Sequence, residues 1–153
     1  MLMPELKRVL KGEAHALPIT SIPYAQFLGL ALHRADDGRL LLAMPYSETL
    51  IGSPKPPRLH GGTIGALLEF AGSIAVTRAA HEEAGIALGS FPKPIGITIE
   101  YMRGGAPQDI FASAEVLRLG RRVANVTAKA WQEDDSRINA AATMHFLMPD
   151  AQA

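Results

Sequence analysis

The sequence predicts an α+β domain in which an antiparallel sheet of six strands wraps around one long apolar helix. Residues 62–84 form the longest helical run, and up to Val76 this run is almost entirely small or aliphatic. Two strand-like segments precede it and four follow it. Because consecutive strands are not separated by helices, we expect an antiparallel sheet rather than a series of βαβ units.

The first half of the chain combines short elements with proline-rich connectors. Leu6, Val9 and Leu10 share one face of a short helix. The Asp36-Asp37-Gly38 turn joins two strands into a hairpin. Three prolines between residues 47 and 59 predict an irregular, extended loop, since proline restricts both its own backbone and that of the preceding residue.

The second half begins with the long helix, for which Gly85 is the predicted C-terminal cap. Turn sequences at 104–107, at Gly120 and at 134–135 separate the four later strands. Alanines on one face of the last two strands let the helix approach the sheet closely. The predicted elements are a helix at 4–11, a connector at 12–23, strands at 27–34 and 39–45, a loop at 47–59, the long helix at 62–84, and strands at 94–103, 110–119, 122–133 and 137–148.

Length and composition limit the organisation and the partners. The 153 residues fit one domain with one core. We assign residues 1–23 to an N-terminal helix and connector, and residues 24–148 to the core of a single domain spanning 1–153. Fifteen basic residues balance fifteen acidic ones, so neither nucleic acid nor an anionic membrane is the expected main partner.

Composition also argues against several kinds of site. The chain has no cysteine, which excludes disulfides and thiolate metal ligands. The histidines form no HxxxH or HExxH spacing, so no metal site is predicted. Glu5, Lys7 and Arg8 interrupt the first ten residues, which therefore lack the apolar region of a signal peptide. We expect a soluble, cytoplasmic protein.

The most informative stretch joins His60-Gly61-Gly62 to the long helix, in which Glu69 is the one charged residue between Thr63 and Val76. A carboxylate in an apolar helix is unfavourable unless it is paired or hydrogen-bonded, and its pKa should be raised. The first N–H groups of a helix have no intrahelical partner, and glycine lets a ligand approach them. Small residues on the face of Glu69 should leave room for an acyl group.

The element order resembles the hotdog fold. His60-Gly61-Gly62 followed by Glu69 resembles the phenylacetate-pathway (PaaI-like) and 4-hydroxybenzoyl-CoA thioesterases. Segments 97–103 and 119–122 look like family strands, so the resemblance covers roughly residues 27–148. It implies hydrolysis of an aromatic or medium-chain acyl-CoA to free acid and CoA, with no cofactor apart from the CoA of the substrate.

The resemblance also implies roles for individual residues. Glu69 corresponds to the nucleophile or general base, and the Gly61 N–H to the oxyanion donor. The family branch with Glu at the acid position has a hydroxyl residue one turn later, which is Ser73 here. His60 is expected to orient the loop or to bond the thioester carbonyl, and Gly62 to contact the substrate.

Two parts of the predicted substrate site are less well matched. Family members usually carry Asn or Gln six residues before the histidine, where this chain has Pro54. Arg121 and Arg122 follow a turn glycine; they are either a solvated hairpin tip or contacts for the nucleotide phosphates of CoA. The missing amide leaves open a hotdog module that binds acyl-CoA without hydrolysis. A hydratase or dehydratase is less favoured, because the His-Phe-Pro-type loop is absent.

The spacing along the helix predicts an assembly. Gly61 and Glu69 are eight residues apart, or roughly 12 Å at the helical rise. One carbonyl group cannot contact both groups of the same chain. We therefore predict an isologous homodimer with two shared active sites, and the family resemblance implies a tetramer built from two dimers.

Overall fold

The computed structural model describes residues 3–150, so residues 1, 2 and 151–153 of the predicted domain lie outside it. It confirms the α+β class and the hotdog arrangement, a long central helix packed against a large antiparallel sheet. The helices are α1 (Pro4–Leu10), α2 (Pro23–Phe27) and α3 (Gly61–Glu82), with a 3-10 turn at Glu48–Leu50. The strands are β1 (Ala16–Pro18), β2 (Ala31–Arg34), β3 (Leu40–Met44), β4 (Ile51–Pro54), β5 (Pro57–Leu59), β6 (Lys93–Tyr101), β7 (Ile110–Leu119), β8 (Val123–Trp131) and β9 (Ala140–Leu147).

The main sheet has seven strands, so the prediction of six was wrong. Its order is β1-β2-β3-β7-β8-β9-β6, and β4 pairs with β5 in a separate hairpin. The additional strand, β1, lies in the predicted connector and pairs antiparallel with β2. Three residues are too few to show a strand pattern in the sequence, and Pro18 suits the outermost strand of a sheet. Part of the predicted strand 27–34 is helix, because α2 extends through Phe27.

The loop predicted at 47–59 is also more regular than expected. It contains the 3-10 turn and the β4–β5 hairpin, in which Pro54 pairs with Pro57 at the tip. Prolines at the end of one strand and the start of the next are tolerated in this hairpin. At the base of the hairpin, the Leu59 N–H bonds the Gly105 carbonyl and the His60 N–H bonds the Leu50 carbonyl. The hairpin thereby fixes the start of α3.

The central helix confirms the prediction of a long apolar element. By length and composition α3 would be able to span a membrane, but 61% of its most apolar 18-residue stretch is buried inside the fold. It packs chiefly against β7 and β8, where Ala124, Ala128 and Ala130 are buried. Gly85, with a φ of 64°, lies three residues beyond the end of the helix, where a left-handed residue turns the chain away.

A buried carboxylate attaches α1 to the chain that follows β1. Glu5 accepts hydrogen bonds from the N–H groups of Thr20 and Ser21, both at 2.9 Å, and from their hydroxyls at 3.3 and 2.8 Å. Burial acts to raise the pKa of Glu5, but these hydrogen bonds outweigh it and hold the pKa below its ordinary value. The ionised form is therefore the one that the fold stabilises.

We expect Glu5→Gln to destabilise the protein at pH 7 by about 1–2 kcal/mol, because hydrogen bonds to a charged group are lost. Because the folded-state pKa of Glu5 is lowered, its carboxylate stabilises the fold at pH values above the unfolded pKa of about 4.3. This stabilisation is lost as pH falls through the folded-state pKa. The difference in melting temperature should therefore shrink under acid. Glu13→Gln, which removes only an exposed 3.7 Å pair with Arg8, is the control. Equal melting temperatures for Glu5→Gln and wild type at pH 7 would contradict the assignment.

Candidate active site

The candidate site begins at the N-terminus of α3, which His60 caps. The Nδ1 atom of His60 accepts a 2.8 Å hydrogen bond from the Gly62 N–H. Nδ1 is therefore the unprotonated nitrogen, and in the neutral ring Nε2 carries the proton. His60 itself is exposed. The structure thus gives His60 a definite orienting role in the loop and leaves Nε2–H available to a ligand.

Two successive peptide groups at this helix start are held by hydrogen bonds. The His60 carbonyl accepts from the Thr63 hydroxyl at 2.7 Å and from the Thr63 N–H at 3.1 Å. The Gly61 carbonyl accepts from the Tyr101 hydroxyl at 2.8 Å, and the Gly62 N–H is held by His60. Of the N–H and carbonyl groups in these two peptide groups, only the Gly61 N–H has no hydrogen-bond partner within residues 3–150. Its peptide group is nevertheless fixed, because the His60 carbonyl at its other end accepts three hydrogen bonds, the third from the Ile64 N–H at 3.4 Å.

Close contacts leave no room for a side chain at Gly52 and little room for one at Gly61. A Cβ on Gly61 would lie 3.3 Å from Cζ of Tyr101, and a Cβ on Gly52 would lie 2.7 Å from Cα of His60. Gly52 therefore lets β4 pack directly against the capping histidine. Neither Gly52 nor Tyr101 is assigned a role from the sequence. Tyr101 lies 40 residues from Gly61 in the chain, so no local pattern signals the contact.

Glu69 is partly buried and has no structural partner. Among the described residues its carboxylate makes neither an ion pair nor a hydrogen bond. Burial alone raises its pKa, in the direction predicted from the apolar helix. A carboxylate that is destabilised by burial and unused by the fold is available for chemistry.

The helix face around Glu69 is open on one side of that residue and closed on the other. Gly62, Gly65 and Ala66 retain some exposure, whereas Gly72 and Ser73 are buried. A Cβ on Gly72 would lie 2.7 Å from Cε of Met144. Room for an acyl group beside Glu69 therefore stays a prediction on the side of Gly62, Gly65 and Ala66, whereas on the side of Gly72 β9 fills the space. Ser73 lies one turn after Glu69, and its carbonyl accepts from the Thr77 hydroxyl at 2.8 Å.

The structure does not bring every predicted substrate residue to this point. Arg121 and Arg122 are exposed at the β7–β8 turn. That turn lies beside Lys93 at the start of β6, whereas Tyr101 and Gly61 lie at the other end of the strand. Eight residues of strand separate these ends by roughly 26 Å. Pro54 is exposed at the tip of the β4–β5 hairpin, while the base of that hairpin contacts His60.

Three aromatic side chains form a cluster around Phe70, the residue that follows Glu69 in α3. Phe70 has its ring centroid 6.3 Å from that of Tyr24, and Tyr24 stacks on Phe27 at 6.1 Å. We call Tyr24, Phe27 and Phe70 the aromatic cluster. Phe27 is 74% exposed and Tyr24 is 52% exposed. Isolated exposed aromatic residues are common, but a group of three indicates a contact surface.

A cavity of about 700 Å³ lies elsewhere, between the second half of α3 and the point where β3 and β7 diverge. It is lined by Ile74 and Arg78, which face away from Glu69 on the helix, and it includes none of the predicted site residues. The helix start is instead an open surface in a single chain. In the part of the chain that the structure describes, no three side chains are grouped to hold a metal ion.

Comparison with known proteins identifies the family. A sequence model of the thioesterase superfamily matches residues 57–138, more than half of the chain. The chain belongs to the thioesterase superfamily. The match contains His60, Gly61, Glu69 and Tyr101, so the helix start and its contact with Tyr101 lie within the matched region.

Individual relatives agree with this placement. A Halobacterium salinarum protein named "Putative esterase" is 33% identical over 105 residues, which are 63% of this chain and 62% of the relative. The chain thus matches less than two thirds of that relative. A Ralstonia eutropha protein, described as a putative thioesterase related to phenylacetic acid degradation, has a TM-score of 0.70 and 23% identity, covering 94% of this chain and 99% of its own. A Bacillus halodurans protein solved with CoA has a TM-score of 0.70 and 18% identity, covering 97% and 91%. At these identities the two structures show the shared fold.

Proposed function

We propose that this thioesterase-superfamily protein is a cytoplasmic acyl-CoA thioesterase of the PaaI-like type. The observation that carries the proposal is the state of the two groups at the start of α3. The Gly61 N–H is fixed but unbonded within the described chain, and Glu69 is an unpaired carboxylate whose pKa is raised by burial. Together these groups supply an oxyanion donor and a nucleophile or base, the two parts that thioester hydrolysis requires.

The chemistry follows from these groups. The thioester carbonyl oxygen accepts from the Gly61 N–H, and the positive end of the α3 dipole stabilises the negative charge that develops there. The Glu69 carboxylate either attacks the carbonyl carbon, releasing CoA thiolate and leaving an anhydride that water hydrolyses, or removes a proton from an attacking water. Both routes end in free acid and CoA. His60 and Ser73 assist, His60 through its Nε2–H.

Features of the surface support a CoA ester as substrate. A structural neighbour from Bacillus halodurans was solved with CoA. Arg121 and Arg122 are exposed but lie roughly 26 Å from Gly61 of the same chain, so the proposal assigns them to the phosphates of CoA and not to the thioester. The aromatic cluster, which includes the residue after Glu69, suits an aromatic or other apolar acyl group. Gly62 and the Pro54 hairpin complete the proposed substrate contacts.

The proposed enzyme is a homodimer formed through β6. This strand is the last in the sheet, and its outer edge is unpaired within the described chain. Ile95, Ile97 and Met102 are 57%, 39% and 53% exposed. A long, apolar edge strand of this kind is a template for pairing with a second copy. Antiparallel pairing would set the two α3 helices side by side and bring Gly61 of one chain to Glu69 of the other. We propose that two such dimers form a tetramer.

A thioester panel with detection of free CoA tests the function. We expect turnover of benzoyl-CoA, phenylacetyl-CoA or medium-chain acyl-CoA by the wild-type protein. Binding of these esters without CoA release would instead favour a non-catalytic acyl-CoA module, which the proline in place of the family amide at position 54 keeps under consideration. Neither binding nor turnover across the panel would reject both.

Mixing two inactive variants tests the shared site. Glu69→Ala removes the acid, and Gly61→Pro removes the amide hydrogen. When the two chains are co-expressed with different tags, one site in four combines an intact Gly61 with an intact Glu69. We therefore expect the mixture to recover about a quarter of wild-type activity. Each variant assembled alone is the control, and a mixture that stays inactive although mixed dimers form would show that the sites are not shared.

A further inference from the structure

Tyr101 connects the edge strand β6 to the start of the central helix. Its hydroxyl donates a 2.8 Å hydrogen bond to the Gly61 carbonyl. Its ring lies against the same residue, since a Cβ on Gly61 would be 3.3–3.4 Å from three of its atoms. The hydroxyl is also near Gly65, one turn later, at 3.7 Å from the position of a Cβ. Tyr101 thus covers the first turn of α3 from the side of the sheet.

We propose that Tyr101 is a positioning residue for the oxyanion amide and acts through the Gly61 carbonyl. This inference rests on the proposed function, because it requires the Gly61 N–H to be the donor. The carbonyl and the N–H of Gly61 belong to one residue with no side chain, so its backbone is freer than that of any other residue type. The Gly61 N–H lies in the peptide plane of the His60 carbonyl, and the φ and ψ torsions of Gly61 join that plane to the plane of its own carbonyl. Because Thr63 holds the His60 carbonyl, a hydrogen bond on the Gly61 carbonyl holds the second plane as well and so limits how far both torsions can turn.

The other contacts leave this role to Tyr101. Thr63 holds the His60 carbonyl and His60 holds the Gly62 N–H. Both contacts come from residues within two positions of Gly61, and the bond from the His60 N–H to the Leu50 carbonyl holds the residue before it. Within residues 3–150, Tyr101 alone ties the Gly61 carbonyl itself to the main sheet. An oxyanion donor is effective because it is already oriented when charge develops, and small misplacements of reacting groups reduce rates strongly.

The position of Tyr101 also connects the amide to assembly. Tyr101 is the last residue of β6, and β6 is the edge that we propose to pair with a second copy. Pairing would order the strand that carries the hydroxyl. The oxyanion donor of a chain would then depend on its own edge strand being paired, in addition to the partner's supply of Glu69.

Tyr101→Phe tests the proposal, because it removes the hydroxyl and keeps the ring against Gly61. We expect kcat to fall roughly 10-fold, less than the roughly 10²–10³-fold lost when a whole oxyanion donor is removed, with KM changed less than twofold. Inhibition by a CoA trifluoromethyl ketone, whose adduct carries the oxyanion, should weaken by the same factor as kcat. Tyr46→Phe is the control, since the Tyr46 hydroxyl makes no hydrogen bond within residues 3–150 and only its N–H bonds Asp109.

An unchanged kcat in Tyr101→Phe would overturn the assignment. So would a loss of activity that comes entirely from a raised KM or from dissociation of the dimer. NMR relaxation of the Gly61 amide gives a readout without catalysis. We expect its order parameter to fall in Tyr101→Phe and to stay unchanged in Tyr46→Phe. If the wild-type protein hydrolyses no thioester, the proposed function fails. An unchanged order parameter at Gly61 would then also reject the positioning role of Tyr101.

Discussion

Replacing Glu69 with glutamine is expected to remove thioester hydrolysis, with a loss in kcat of roughly 10²–10⁴-fold for a group that acts as general base. Glutamine keeps the shape of the side chain but neither attacks a carbonyl as a carboxylate nor accepts a proton from water. Free-CoA release by the variant under saturating substrate measures the loss. Glu83→Gln, at an exposed position just past the end of the same helix, is the matched control and should retain wild-type activity.

The same substitution should raise the stability of the fold at pH 7, although it removes activity. Burial raises the pKa of Glu69, so the folded state holds the proton more tightly than the unfolded chain. The stability that protonated Glu69 contributes is fully present below the unfolded pKa of about 4.3. It is lost as pH rises through the folded-state pKa, because the buried carboxylate then becomes charged. Glu69→Gln should therefore melt roughly one to a few °C higher than wild type at pH 7, and the gain should disappear near pH 4.

The pH dependence of activity follows from the same shift. Because the reactive form is ionised, kcat/KM should decrease as pH falls through a pKa that lies above the ordinary glutamate value. If Glu69→Gln kept more than a tenth of wild-type activity, or if it melted lower than wild type at pH 7, Glu69 would be a structural carboxylate. The catalytic assignment would then be rejected.

Replacing Gly61 with proline is expected to lower kcat by about 10²–10³-fold, the usual loss when one oxyanion donor is removed. Gly61 is the first residue of α3, where proline is readily accommodated because that N–H has no intrahelical partner. The preceding residue, His60, has φ −66° and ψ 132°, which is the conformation that proline requires of its neighbour. The backbone at position 61 therefore accommodates proline, and the Cβ that proline adds crowds the Tyr101 ring as the Cβ of alanine does.

Gly61→Ala separates the amide from the added side chain. Alanine retains the N–H but places a Cβ 3.3 Å from the Tyr101 ring, so it reports the effect of crowding alone. The ratio of kcat for Gly61→Ala to kcat for Gly61→Pro measures the contribution of the N–H. Circular dichroism and melting temperature of both variants check that α3 is intact. Equal activity in the two folded variants would remove the Gly61 N–H from the mechanism.

Much of the fold is predictable because its signals are local. The apolar run of α3, the Asp36-Asp37-Gly38 turn and the alternation in the later strands can each be recognised from residues that are neighbours in the sequence. Strand β7 is found at the predicted residues, Ile110–Leu119. The errors fall where local signals are weak or misleading. Strand β1 has only three residues, and the β4–β5 hairpin contains prolines that normally indicate a loop.

The candidate site divides in the same way. Glu69 and the His60-Gly61-Gly62 entrance can be recognised from sequence alone, because a charge in an apolar helix and two glycines at its start are unusual compositions. The space around these residues cannot be predicted from the sequence. Gly72 suggests room for a ligand, yet its small size admits Met144 and Phe146 from β9.

The sequence by itself determined the long buried helix, its carboxylate and its glycine entrance, since these depend on the chemistry of neighbouring residues. Only the tertiary structure decided which polar groups at that entrance are already bonded. Tyr101 reaches Gly61 across 40 residues of chain, and Thr63 and His60 satisfy the adjacent groups. The Gly61 N–H stays unbonded within residues 3–150 because it precedes the first intrahelical hydrogen bond. The Tyr101 bond joins distant segments and is set by packing, which no local pattern encodes.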